Sequence, residues 1–121
     1  MEFIAVGLGG AIGALLRFYV SHLISYDAEF PLATFLVNMI GCFLLSLLLS
    51  GPFLKRIPHI KLALTTGLLG SFTTFSTFSY ETISLVKNGQ FEWAFFYICL
   101  SILGGVLGSY AGYKLRNGVT Q

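Results

Sequence analysis

The stretch GLLGSFTTFSTFS at residues 67–79 gathers two glycines, three phenylalanines and six hydroxyl side chains. It fills most of a segment that carries no charge from Leu62 to Tyr80. Phe75 and Phe78 stand at i, i+3 and share a helix face, with O–H donors at Ser76, Thr77 and Ser79 beside them. A phenyl ring is positive at its edge. Rings and hydroxyls together therefore suit a small anion stripped of part of its water, without a fixed counter-charge. Just upstream, Gly67 and Gly70 weaken a helix, and Thr73 and Thr74 compete for its backbone bonds. A break there would free carbonyls, for which a cation is a natural partner. The other reading of the stretch is a Ser/Thr-rich helix interface with aromatic packing.

Further polar residues stand inside apolar runs. Asn38 lies roughly 10 Å into its run at 1.5 Å per residue, either as interhelical hydrogen-bond glue or as an amide donor facing a pathway. Arg17 sits well inside the first run. It either snorkels to the headgroups or serves as a cation for a vestibule or a neighbouring helix end. Tyr97 and Ser101, four apart, form a hydroxyl track or satisfied packing residues. Glu81 is the carboxylate set furthest into any run, yet it falls towards a helix end. Cys42 and Cys99 read as small apolar residues, with no disulfide or metal framework.

These residues need an apolar frame, and the composition supplies one. The chain has 121 residues, 55% hydrophobic and only 10% charged, and a mean hydropathy of +0.82. Charge-free windows run from Phe3 to Leu16, Phe30 to Leu54, Leu62 to Tyr80 and Trp93 to Tyr113. About 20 apolar residues span a bilayer. The reading is an all-α integral membrane protein, one domain over 1–121, with transmembrane helices near 3–24, 31–52, 60–86 and 92–114. The third is expected to break near its middle. Gly9 with Gly13, and Gly104, Gly108 and Gly112, read as close-packing seams. Asp27 and Glu29 mark the first loop, Pro58 a helix start, and Lys87-Asn88-Gly89 a turn. The N-terminus lacks a basic region, so the first helix is expected to be retained. Five Lys/Arg (Lys55, Arg56, Lys61, Lys114, Arg116) fall on one side, which favours cytoplasmic termini. A net charge of +2 points to no nucleic-acid partner. No nucleophile–base pair or ligand cluster can be assembled, so an enzyme is not expected.

Three segments, GGAIGALLR at 9–17, FLVNMIGCF at 35–43 and GLLGSFTTFSTF at 67–78, closely resemble the CrcB/Fluc fluoride channel family. The TTFSTF core is specific, and the order and spacing of the three cover most of the chain. The resemblance implies a fluoride-selective passive channel in the cell membrane that exports fluoride and confers fluoride resistance. It implies antiparallel, dual-topology dimers with two pores between subunits. Phe75 and Phe78 would meet fluoride through ring edges, Asn38 would donate from helix 2, and Ser76, Thr77, Tyr97 and Ser101 would extend the pathway. Gly105 stands where some relatives have another serine. Backbone carbonyls of Gly70 and Thr73 would hold a structural sodium ion, not transported, at the dimer centre. The basic-residue bias keeps a second partner open, an oppositely oriented paralogue in a heterodimer. A small proton-coupled multidrug exporter is the competing class, and it needs a titratable group deep in the membrane. A structural subunit without a pathway is the third.

Overall fold

A computed structural model describes residues 2–24, 30–51 and 56–118. The first loop's Asp27 and Glu29, and Lys55 of the basic loop, lie outside these residues. The described residues form helices and connecting turns, with no strand. Helix α1 spans Glu2–Leu23 and α2 spans Leu32–Leu49. The third transmembrane passage is assembled from pieces. They are α3 (Pro58–Leu62), a π-helical segment (Ala63–Leu69), α4 (Gly70–Phe72) and, after a gap, α5 (Phe75–Lys87). Helix α6 closes the bundle over Phe91–Gly118. Helices α1, α2 and α6 are each long and apolar enough to cross a membrane. The broken third passage makes the fourth crossing, as expected for an all-α membrane fold.

The two glycine seams have different partners. A Cβ on Gly9 or Gly13 would run into the carbonyl oxygens of Ala63 and Leu68, and one on Gly67 would come within 2.6 Å of Val6 O. Only hydrogen at these positions lets α1 lie against the π-helical segment, the close approach that small-xxx-small spacing permits. On α6, a Cβ on Gly104 would run into Met39 and one on Gly112 into Phe43 O, while one on Gly108 would come within 3.3 Å of Met39 O. That seam joins α6 to α2. The bundle is thus two tight pairs, with α5 laid against α2 and α6.

Helix ends follow local chemistry. Pro58 takes the first turn of α3, where its missing N–H costs nothing. Helix α2 stops at Leu49, three residues short of the expected 52, because residues before proline avoid the helical region. Its cap, Ser50, donates its hydroxyl to Ser46 O at 2.8 Å. Helix α6 runs four residues beyond the expected 114, with Arg116 in its last turn, where the helix dipole favours a cation. The Arg116 guanidinium lies against Gly51, so the ends of α2 and α6 are neighbours. His59 Nδ1 lies 3.5 Å from Glu2 Oε1, which sets the starts of α1 and α3 together. The predicted turn ends α5 with Gly89 at φ 76°, and Gln90 N–H donates to Leu85 O at 2.9 Å. That is a Schellman stop, which needs the left-handed glycine.

Candidate functional site

The gap between α4 and α5 is two residues long. Thr73 (ψ 158°) and Thr74 (φ −148°, ψ 119°) are extended, so the helical ladder stops there. Thr73 still closes the upper half: its N–H and hydroxyl donate to Leu69 O at 3.0 and 2.9 Å. Its methyl group packs on Gly41, where any side chain would clash. Thr74 opens the lower half. Its Oγ1 accepts from the Thr77 N–H at 3.1 Å, an N-cap, and donates to Thr77 Oγ1 at 2.9 Å. Ser76 Oγ lies 3.3 Å from the same oxygen.

Asn38 bridges α2 to this gap. Its Nδ2 donates to Thr74 O at 3.0 Å, and its Oδ1 accepts from the Thr74 N–H at 2.8 Å. The pairing also fixes the amide's orientation, since the flipped form would set N–H against N–H. Asn38 is therefore interhelical glue. Its second amide proton has no acceptor among the described residues, and the residue lines an open groove. The groove holds about 390 Å³, and Gly70, Thr73, Phe75, Phe78 and Ser101 line it with Asn38. Six of the residues singled out from sequence are thereby brought together. Cys42 and Met39 add sulfur to the wall.

Phe75 and Phe78 lie 5.8 Å apart between ring centroids, as their spacing requires. Phe78 tilts onto Tyr97 at 5.0 Å, and Phe30 meets Tyr97 edge-on at 5.4 Å. Tyr97 is fully buried behind this stack. Ser76 is exposed and Thr77 half-buried, both tied to the Thr74 hydroxyl rather than lining the groove. Ser79 returns its hydroxyl to Phe75 O at 2.9 Å. Arg17 is half-buried on α1 and does not reach the groove.

Two residues outside the sequence-derived site are tied to its Tyr97. Glu81 Oε2 accepts from the Tyr97 hydroxyl at 2.7 Å, and its Oε1 accepts from Thr34 Oγ1 at 2.8 Å. The Glu81 carboxyl group thus stands beside Tyr97 behind the aromatic stack. A signal for this exists in the spacing. Glu81 follows Phe78 by three, Thr34 precedes Asn38 by four, and Tyr97 precedes Ser101 by four, each pair on one helix face. Among the described residues no three His, Cys, Asp or Glu side chains cluster as metal ligands.

The described residues thus form an all-helical membrane protein whose third passage breaks beside an open groove lined by an amide, hydroxyls and two phenyl rings. The chain belongs to the CrcB family: the model of "CrcB-like protein, Camphor Resistance (CrcB)" matches residues 4–113. Relatives include "Fluoride-specific ion channel FluC 1" of Bacillus cereus (strain ATCC 10987), 45% identical over 117 residues, covering 93% of this chain and 85% of that protein. "Fluoride-specific ion channel FluC 2" of Staphylococcus haemolyticus is 43% identical, covering 95% and 96%. "Fluoride-specific ion channel FluC 1" of Staphylococcus aureus (strain NCTC 8325) is 40% identical over 99% of this chain and all of that protein. The family is one of ion channels, not enzymes, and its members are multi-pass membrane proteins.

Proposed function

We propose that this chain is the subunit of a passive, fluoride-selective channel, and that the groove around Asn38, Phe75 and Phe78 is half of its conduction path. The spare Asn38 amide proton beside two adjacent phenyl rings carries this reading. A hydrogen-bond donor and positive ring edges can replace part of a small anion's water without trapping it as a lysine would. The family relatives, named as fluoride channels, supply the ion. Ser101 stands on the same groove, whereas Tyr97, Thr34 and Glu81 form a hydrogen-bonded cluster behind the Phe78 ring. Ser76 and Thr77 offer hydroxyls on the opposite flank of Thr74. Arg17 contributes from α1, outside the groove, as a cation near the approach.

With an inside-negative membrane the anion runs outward, about 2.3 kcal/mol per 100 mV. Export from the cytoplasm then needs no coupling ion, and none of the described carboxylates is required to shuttle protons. A second copy, inverted in the membrane, would cover the groove and the neighbouring Phe75 ring, which is 79% exposed in one chain. A structural sodium ion fits the break. The helical donors to Gly70 O and Thr73 O would be the N–H groups of Thr74 and Thr77, and both donate elsewhere. Those two carbonyls would hold the ion, which supplies positive charge between subunits. The basic bias, still present among the described residues at Arg56, Lys61, Lys114 and Arg116, favours one orientation per chain, and so a heterodimer with an inverted paralogue is the second reading.

The test is efflux from liposomes holding this chain alone, driven by a potassium gradient and valinomycin. Fluoride release without chloride release supports the homodimer. Release only when an inverted paralogue is present supports the heterodimer. No fluoride release in either case overturns the channel.

A further inference from the structure

A helix continuing from α4 into α5 would pair the Thr74 N–H with Gly70 O and the Thr77 N–H with Thr73 O. Neither bond forms. The Thr74 N–H donates to Asn38 Oδ1 at 2.8 Å, and the Thr77 N–H donates to Thr74 Oγ1 at 3.1 Å. Two side-chain oxygens hold the donors that two backbone carbonyls would otherwise take. Away from water every N–H must be satisfied, so each donor goes to one acceptor or the other.

We propose that Asn38 and Thr74 are positioning residues for a cation: their side-chain oxygens withhold two N–H groups from Gly70 and Thr73 and keep those carbonyls available to the metal. The inference rests on the sodium reading above and adds to it a reason why the helix stays open there. A break releases several carbonyls, but a break alone is unstable if its N–H groups can simply return to them. Asn38 reaches across from α2 and also donates to Thr74 O at 3.0 Å, so the Thr74 peptide is gripped on both sides. Thr74 then caps α5 with its own hydroxyl, which fixes where the lower half begins. Thr73 seals the upper half on Leu69 O, leaving its own carbonyl without an intrahelical donor. Helix closure and cation binding thus compete for the same two carbonyls. The side-chain acceptors decide the competition before any ion arrives. Since Asn38 also lines the groove, the anion path and the cation site share one amide.

The experiment measures dimer content and thermal unfolding of purified protein against sodium, with N-methylglucamine holding ionic strength constant. Thr74→Val keeps the shape and removes the acceptor; Thr74→Ser keeps the acceptor. Asn38→Leu removes the other acceptor from a different helix. The expected result is at least a tenfold rise in the sodium concentration for half-maximal protection in Thr74→Val and in Asn38→Leu. Saturating sodium restores assembly in both, and Thr74→Ser stays within twofold of the parent. A parental half-concentration in either acceptor-less variant overturns the proposal. So does a loss of assembly that saturating sodium fails to restore, since both side chains would then be merely structural. A parent protein indifferent to sodium is a separate result: it removes the sodium site itself, and this inference with it.

Discussion

Phe78 has one ring in two settings, the groove on one side and the Tyr97 stack on the other. Isoleucine would keep much of its bulk and lose the polarised edge. Phe78→Ile should lower fluoride efflux from liposomes at least tenfold while the elution volume of the purified protein stays unchanged. Tyr97 is coupled to Glu81 and Thr34 through the carboxylate. Tyr97→Phe keeps the ring packing and deletes one donor, which should cost about 1 kcal/mol in a denaturant titration of the reconstituted protein. Much of this was readable in advance. An amide at residue 38, deep in an apolar run, had to find a partner, and Phe75 with Phe78 had to share a face. The contact of Glu81 with Tyr97 was less legible, because depth along a helix does not reveal a residue's face. The same three-residue step that aligns Phe75 with Phe78 carries on to Glu81.

At the scale of elements, the seams were legible as spacing and illegible as pairings. Glycines at 9 and 13, and at 104, 108 and 112, announce close approach, but nothing in their own helices names the helix that approaches. Gly13→Val should drive α1 off the π-helical segment, since any Cβ there meets Leu68 O. Aggregation on size exclusion, or a loss of at least about 2 kcal/mol in stability, is the expected outcome. Gly7→Ala on the same helix meets nothing within 4 Å, so its melting temperature should hold or rise slightly. The break was also foreseeable, from paired glycines beside paired threonines. The π-helical stretch from Ala63 to Leu69 was not. Its altered ladder belongs to the backbone, and its sequence, ALTTGLL, is equally at home in an α-helix.

Most of the described basic residues, Arg56, Lys61, Lys114 and Arg116, gather at one end of the molecule, where α1 and α3 begin and where α2 and α6 finish, with Lys87 at the other. If inversion of identical chains is the assembly, that bias must be overcome at insertion. Tail fusions to a compartment-specific reporter should then show both orientations, and a heterodimer predicts one. The π-helical segment has a consequence for the chain's arithmetic. An i→i+5 turn accommodates an additional residue relative to α-helix, so the stretch can give up one residue where a neighbouring α-helix cannot. Exchanging the exposed Thr66 for another polar residue should pass unnoticed. Deleting it would let the segment rewind as α-helix while everything beyond keeps close to its register, because the wide turn had absorbed that one residue. Thr74 would stay within reach of Asn38, whereas a deletion from an α-helical stretch such as α2 would turn its remainder by about 100°. The slack is in the backbone: a dropped letter is survivable in this one word and not in its neighbours.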